Sequence, residues 1–181
     1  FSVLINSASI FEHDDFDTAT RQSWDRAIES NLRAPFVLTQ AFAAQAPEPD
    51  VGGKWSEPTA NALIINMVDQ RVRKLTPFFM SYTVAKMGLW ALTQTSAQAL
   101  APKVRVNAIG PGPALPHVRM KDGDFAERTE QTLLQRGTSP EEISSALSFI
   151  LSAPALTGQM IVLDGGQHLV WQTPDVTDAI E

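Results

Sequence analysis

The chain contains no cysteine, which excludes disulfides, thiolate nucleophiles and cysteine-ligated metals. Histidine is nearly as scarce. His13, His117 and His168 are far apart and lack metal-ligand spacing, so they read as surface or loop residues and no metal site is expected. Positive charge is short as well: 14 Lys and Arg against 20 Asp and Glu give a formal charge of -6, and neither a basic run nor a basic helix face occurs. A nucleic-acid or anionic-membrane partner is therefore not expected. No apolar run reaches the roughly eighteen residues of a membrane span, and no signal-peptide pattern opens the chain. The expectation is a soluble cytoplasmic protein. An initiator methionine is also missing; Phe1 opens an apolar run that reads as a strand already under way. The chain is expected to be the C-terminal part of a longer protein.

What is present suits one packed domain over residues 1–181, with 44% hydrophobic and 19% charged residues. Residues 1–5 (FSVLI) read as a strand buried on both faces of a parallel sheet, ending in Asn6, Ser7, Ala8 and Ser9. Phe11 follows, either a core or lid aromatic or a platform for a flat ring. Glu12, Asp14, Asp15 and Asp17 read as a solvated loop. A helical pattern from about Thr20 to Gln45 is apolar on more than one face, which predicts packing on the sheet and on another helix or subunit. Asn31 lies within it, and Pro35 four residues later cannot donate to the Asn31 carbonyl; a kink holding a water or an incidental polar residue both fit. Residues 47–60, rich in Pro, Gly, Asp and Glu, read as an exposed loop and the likeliest place for disorder.

Residues 62–68 (ALIINMV) form a second buried strand, ending at Asp69. Arg71, Arg73 and Lys74 follow and read as pairing with Asp69 or facing solvent. A long helix is predicted from Met80 to about Leu100. Within it Tyr82 and Lys86 are four residues apart, which places phenol and ammonium on one face. A neighbouring cation favours the phenolate, so Lys86 is expected to lower the Tyr82 pKa from its usual value of about 10 toward general acid and base work. Alone, Tyr-x-x-x-Lys is a weak pattern. A third strand covers residues 104–109 and runs into Gly110-Pro111-Gly112-Pro113. Residues 114–137 are weakly patterned and read as a substrate flap with a short helix near 125–135. Ser139, Pro140, Glu141 and Glu142 make a strong helix start. A last strand lies within residues 158–166, and the tail leaves Trp171 exposed.

Alternating strands and helices predict a Rossmann-like, doubly wound parallel sheet with about four strands. The segments after the strand ends, together with the start of the Tyr82 helix, converge on one crevice.

In this order, Asn-x-Ala-x after a strand, a helical Asn31, an acid thirteen residues before Tyr-x-x-x-Lys, Asn-Ala-Ile-Gly-Pro-Gly and a terminal Leu-Asp-Gly-Gly span nearly the whole chain. The pattern resembles the short-chain dehydrogenase/reductase family. The resemblance implies that Tyr82 is the catalytic acid, that Lys86 tunes it and binds the nicotinamide ribose, and that Asn31 holds a proton-relay water. Asn6, Ala8, Ser9, Gly110, Pro111 and Gly112 would contact the cofactor. Most members carry serine where this chain has Asp69, and a carboxylate repels a carbonyl oxygen unless protonated.

Aspartate there is similar to the pteridine reductase and dihydromonapterin reductase branch. That likeness implies Phe11 as the ring stacked on a pterin, Ser9 as a polar contact, and a substrate site formed with Asp69 and Tyr82. It further implies NADPH as cofactor, a ring C=N bond as the group reduced, and a homodimer or homotetramer. The family's glycine-rich phosphate loop has no counterpart in the sequence, so a dinucleotide pyrophosphate is not expected to bind the chain by itself. Two alternatives stay open: a generic carbonyl or 3-oxoacyl reductase, and a non-catalytic binding or scaffold protein.

Overall fold

The computed structural model describes residues 1–52, 55–116, 123–174 and 176. His117 and part of the expected flap lie outside them. Four parallel strands, β1 (Val3–Asn6), β4 (Ala62–Met67), β5 (Val104–Pro111) and β6 (Met160–Leu163), form one sheet in the order β1-β4-β5-β6. Leu4 is in register with Ile64, Ile65 with Asn107 and Ala108 with Met160. Each parallel step is bridged by helix, as the alternating pattern predicts.

The alternation along β4 decides the two halves of the core. Ala62 and Ile64 point to one face and join Val104, Val106, Phe42 and Ala97. Leu63 and Ile65 point to the other and join Ile109, Ala146 and Ile150. The first face is covered by α2 (Ala34–Gln45) and α3 (Met80–Leu100), the second by α5 (Pro140–Ser152). The edge strand differs from its expectation. Leu4 packs on the core, but Val3 and Ile5 are 39% and 44% exposed, because α5 covers the β4–β6 side of that face and does not extend to β1.

The first helical stretch begins with α1 (Arg21–Ile28), whose N-cap Thr20 forms a reciprocal capping box with Ser23. It continues into α2 through a π-helical segment, Glu29–Arg33, in which the Ala34 N–H reaches back to the Glu29 carbonyl. Such a wide turn absorbs an extra residue and changes which side chains face inward. Here it buries Asn31. Where the π-helical segment meets α3, Gly88 leaves room for Leu32, whose Cδ2 lies 2.7 Å from where a Cβ would be.

The expected loop at 47–60 contains an exposed antiparallel pair, β2 (Asp50–Gly52) and β3 (Glu57–Thr59). The short helix expected near 125–135 is α4 (Asp124–Glu130), shorter than the sequence pattern. As predicted, α5 starts at the N-cap Ser139 with Pro140 in its first turn, and Glu142 completes a capping box. Arg105, on a buried strand position, is accommodated by donating Nη1 to the carbonyls of Ile150, Ala153 and Leu156 at 3.0 to 3.1 Å around the end of α5. No helix among the described residues is long and apolar enough to cross a membrane.

Candidate active site

The carboxyl ends of β1, β4 and β5 and the start of α3 meet at one cleft of about 260 Å³, lined among others by Phe11, Asp69, Arg71, Tyr82, Gly112 and Arg128. Asp69 leaves β4 with extended backbone and caps the 3-10 turn Gln70–Val72, its Oδ1 accepting the Arg71 N–H at 2.7 Å. Its other oxygen, Oδ2, accepts the Tyr82 hydroxyl at 2.8 Å. Sequence separation alone did not require this contact. It arises because α3 starts beside the end of β4 and puts Tyr82 in its first turn.

Lys86 lies one turn further along α3 and is 2% exposed. Its Nζ donates to the Met67 carbonyl at 2.7 Å and is 5.6 Å from the centre of the Tyr82 ring. Burial holds its ammonium down at a pKa of about 8, against the pull of the Asp69 charge. The expected effect on Tyr82 is reversed in this arrangement. Burial pushes the phenol well above its ordinary pKa, and the Asp69 carboxylate adds to the rise by charge and by hydrogen bond; the Ser9 hydroxyl and Arg71 guanidinium oppose it. Tyr82 is thus a neutral hydrogen-bond donor whose proton is held against Asp69.

Asn31 is fully buried and all four of its amide valences are used. Its Oδ1 accepts from the Ser9 hydroxyl at 2.6 Å and the Ile10 N–H at 3.1 Å; its Nδ2 donates to the carbonyls of Ile10 and Ala27. The side chain therefore clamps the segment after β1 to the π-helical turn. Asn6 is also buried, its Nδ2 donating to Asn66 Oδ1 at 2.8 Å, and Asn66 in turn donates to Thr93. Ala8 and Ser9 are exposed at the strand end.

Of the glycine-proline corner, Pro111 and Gly112 line the cleft, whereas Gly110 packs behind it against Met160 and the Asp69 backbone. A Cβ on Gly112 would fall 2.6 Å from Asp164 Cβ, so the corner requires glycine for close approach to the loop after β6.

Phe11 is beside Tyr82, with ring centroids 4.7 Å apart and planes at 75°. It is also stacked on Phe79, which the sequence did not single out. Two charged residues belong to this corner: Asp14, read as part of a solvated loop, and Arg71, read as pairing with Asp69 or facing solvent. Asp14 is buried and accepts the backbone N–H and hydroxyl of Ser81, capping the start of α3 from a distant loop. Arg71 is 7% exposed, with its guanidinium 4.9 Å over the Phe79 ring. His168, expected on the surface or in a loop, lies in the short turn after β6, half-buried, with its Nδ1 2.7 Å from Asp164 Oδ2. Arg128, in the expected flap, also lines the cleft. A charged residue in a loop or on a helix as short as α4 carries no usable periodic signal, so only the tertiary structure reveals these placements.

The donor set fits one end of a nicotinamide dinucleotide. A buried ammonium at Lys86, hydroxyls at Ser9 and Tyr82 and the unobstructed Pro111–Gly112 corner are what a ribose and a flat carboxamide ring need. Among the described residues no group of His, Cys, Asp and Glu side chains is arranged to hold a metal ion.

A family model described as enoyl-(acyl carrier protein) reductase matches residues 1–168. The chain belongs to the short-chain dehydrogenase/reductase family. It is 33% identical over 144 residues to pteridine reductase 1 of Leishmania tarentolae, covering 77% of this chain and 48% of that protein. It is 29% identical over 171 residues to a probable galactose dehydrogenase of Rhizobium meliloti (strain 1021), covering 91% of this chain and 63% of that one. Among solved structures it resembles the FolM alternative dihydrofolate reductase 1 of Brucella suis in complex with NADP, with a TM-score of 0.88 and 41% identity over 97% of this chain and 67% of that one. The chain thus spans about half to two thirds of the length of these relatives.

Proposed function

We propose that this chain is the catalytic and substrate-binding part of an NADPH-dependent reductase acting on a pteridine-type ring C=N bond, as in a dihydropterin or dihydrofolate. The observation that carries this reading is the 2.8 Å hydrogen bond from the Tyr82 hydroxyl to Asp69, formed beside the Phe11 ring. Likeness to a pteridine reductase and to a dihydrofolate reductase of the same family supports it.

Reducing C=N requires a hydride at carbon and a proton at nitrogen. NADPH would supply the hydride when bound, with Lys86, Tyr82, Ser9, Ala8, Asn6 and the Pro111–Gly112 corner placed to hold its nicotinamide end and Gly110 backing that corner. The proton comes from the Tyr82–Asp69 pair. Hydride addition leaves negative charge on the ring nitrogen, which is then basic enough to take a proton even from a phenol whose pKa is raised. Asp69, a carboxylate at the cleft, takes the Tyr82 proton and delivers it to the ring nitrogen, and the Lys86 ammonium offsets the charge left on the phenol. Asn31 positions the Ser9–Ile10 segment, and Phe11 offers the ring face on which a flat heterocycle stacks.

A simple ketone fits less well, because the Asp69 carboxylate would face the carbonyl oxygen. The test is NADPH oxidation by the intact protein with a dihydropterin and with simple ketones. Turnover confined to ketones leaves a general carbonyl reductase, and no NADPH binding leaves a scaffold. Trp24, Phe36, Val37 and Leu38 on the first helical stretch and Val84 and Met87 on α3 keep exposed apolar surface, which supports a homodimer or homotetramer. Light scattering that finds only monomer overturns that part. A cytoplasmic setting, where NADPH is regenerated, completes the proposal.

A further inference from the structure

The cleft carries more positive charge than the proposed reduction uses, in a chain whose formal charge is -6. Two guanidinium groups line it, Arg71 from the loop after β4 and Arg128 from α4. Arg71 is held rigidly: its backbone N–H donates to Asp69, its Nη1 donates to Thr76 Oγ1 at 2.6 Å, and its plane lies over Phe79. Its Nε is buried and has no hydrogen-bond partner among the described residues.

Arg128 is half-buried on the same cleft. The two cations lie near enough that Arg71, after burial, holds the Arg128 pKa down, with Asp69 acting against that fall. Among the described residues neither arginine is in an ion pair. The nearby Asp69 already accepts hydrogen bonds from Tyr82 and from the Arg71 backbone. Two like charges partly withdrawn from water are costly unless an anion joins them.

We propose that Arg71 and Arg128 form an oxyanion-recognising pair that selects substrates bearing a carboxylate or phosphate on a substituent of the flat ring. The pair rests on the reading of the cleft as a reductase substrate site. Guanidinium forks match both oxyanions, and water-poor surroundings strengthen the contact. Phe11, Tyr82 and Asp69 take the ring, and the substituent runs toward Arg128 at the α4 side. Arg71 bridges the two, since its guanidinium reaches over the aromatic pair.

The test compares dihydrofolate, which carries carboxylates, a dihydropterin phosphate ester, and a neutral hydroxyalkyl dihydropterin in the intact protein and in its Arg128→Gln and Arg71→Lys variants. The ratio of kcat/KM for an anionic over the neutral substrate is expected to fall about tenfold or more in Arg128→Gln, through KM. The arm that falls identifies carboxylate or phosphate as the group recognised. Raised ionic strength is expected to lower the same ratio in the parent protein. An unchanged ratio overturns the proposal, as does a loss that appears in the KM for NADPH instead. Calorimetric titration with 4-aminobenzoyl-glutamate, which has no pterin ring, separates the two readings. Binding that Arg128→Gln weakens supports the pair even if no pterin is reduced. No binding and no turnover of either anionic substrate overturns it, whatever the neutral pterin does.

Discussion

Phe79 lies flat on Phe11, with ring centroids 4.3 Å apart and planes within 2° of parallel. It does so from an uncommon backbone position for a bulky residue, φ 60° and ψ 45°, held by its N–H donating to the Asp14 carbonyl at 2.7 Å. Phe79 thus already stacks on the ring assigned to the substrate. Replacing Phe79 by Ala is expected to cost about 1 kcal/mol of stability, the usual worth of an aromatic pair. The same change is expected to tighten binding of a flat heterocycle several-fold, while Phe11→Ala weakens it. Kd values from fluorescence titration check this; equal effects from the two variants contradict the platform role of Phe11.

Lys86 sets a pH dependence whose sign is fixed by its lowered pKa of about 8. Below pH 8 the side chain is protonated in both folded and unfolded protein, and the cost of burying it is fully present. Between about 8 and 10.5 the unfolded chain binds more protons than the folded one, so this group's contribution to stability improves as pH rises. Activity runs the opposite way, since the cation that offsets the phenol is lost. We expect kcat/KM for NADPH to fall with an apparent pKa near 8. Parallel denaturation of the parent and Lys86→Met should show the parent gaining relative to the variant between pH 8 and 10.5. A kcat/KM flat to pH 10 contradicts the role of the ammonium.

Asp14 caps α3 at long range, because Phe79 in the N-cap position supplies no side-chain acceptor. Asp14→Ala leaves the buried N–H and hydroxyl of Ser81 without that partner and is expected to cost about 1–3 kcal/mol. The change should also loosen the segment carrying Phe79, read as faster amide exchange over the first turn of α3. A stability change below about 0.5 kcal/mol contradicts the cap.

Gly112 is in contact with Asp164, which in turn accepts the backbone N–H groups of Gly166 and His168 at 3.0 and 2.8 Å. Gly112→Ala forces backbone apart rather than a flexible side chain, and is expected to cost about 1–3 kcal/mol. Cofactor affinity should fall with it, whereas Gly52→Ala, at a site with open space, should leave that affinity unchanged. Equal NADPH affinity in parent and Gly112→Ala contradicts the corner's role.

The sheet and its helices were legible because the apolar runs 62–68 and 104–109 are short, continuous and bounded, and because Thr20 and Ser139 announce helix starts. Helical spacing put Tyr82 and Lys86 on one face. It could not say which charge controls the phenol, since that depends on burial and on a carboxylate thirteen residues away. The half-exposed outer face of β1 was illegible for a similar reason: an apolar residue reads the same whether or not another layer covers it. Asp14 and Arg71 were hidden because a loop charge is buried only by what folds over it, and Arg128 because the short helix α4 shows no apolar face to say which side is covered. Asn31 was noticed as a polar residue in a helix, but its clamp on Ser9 and Ile10 depends on a π-helical turn that has no sequence signature.

The account turns on the proton shared by Tyr82 and Asp69. The most direct measurement is steady-state NADPH oxidation with a dihydropterin and with a simple ketone, for the intact protein and its Asp69→Ser variant. We predict that dihydropterin turnover falls about a hundredfold or more in the variant, within the range of a lost general acid, with little change in KM for NADPH. Turnover that is unchanged or improved by serine, or activity on ketones alone, would contradict the assignment of Asp69 and of the substrate class with it.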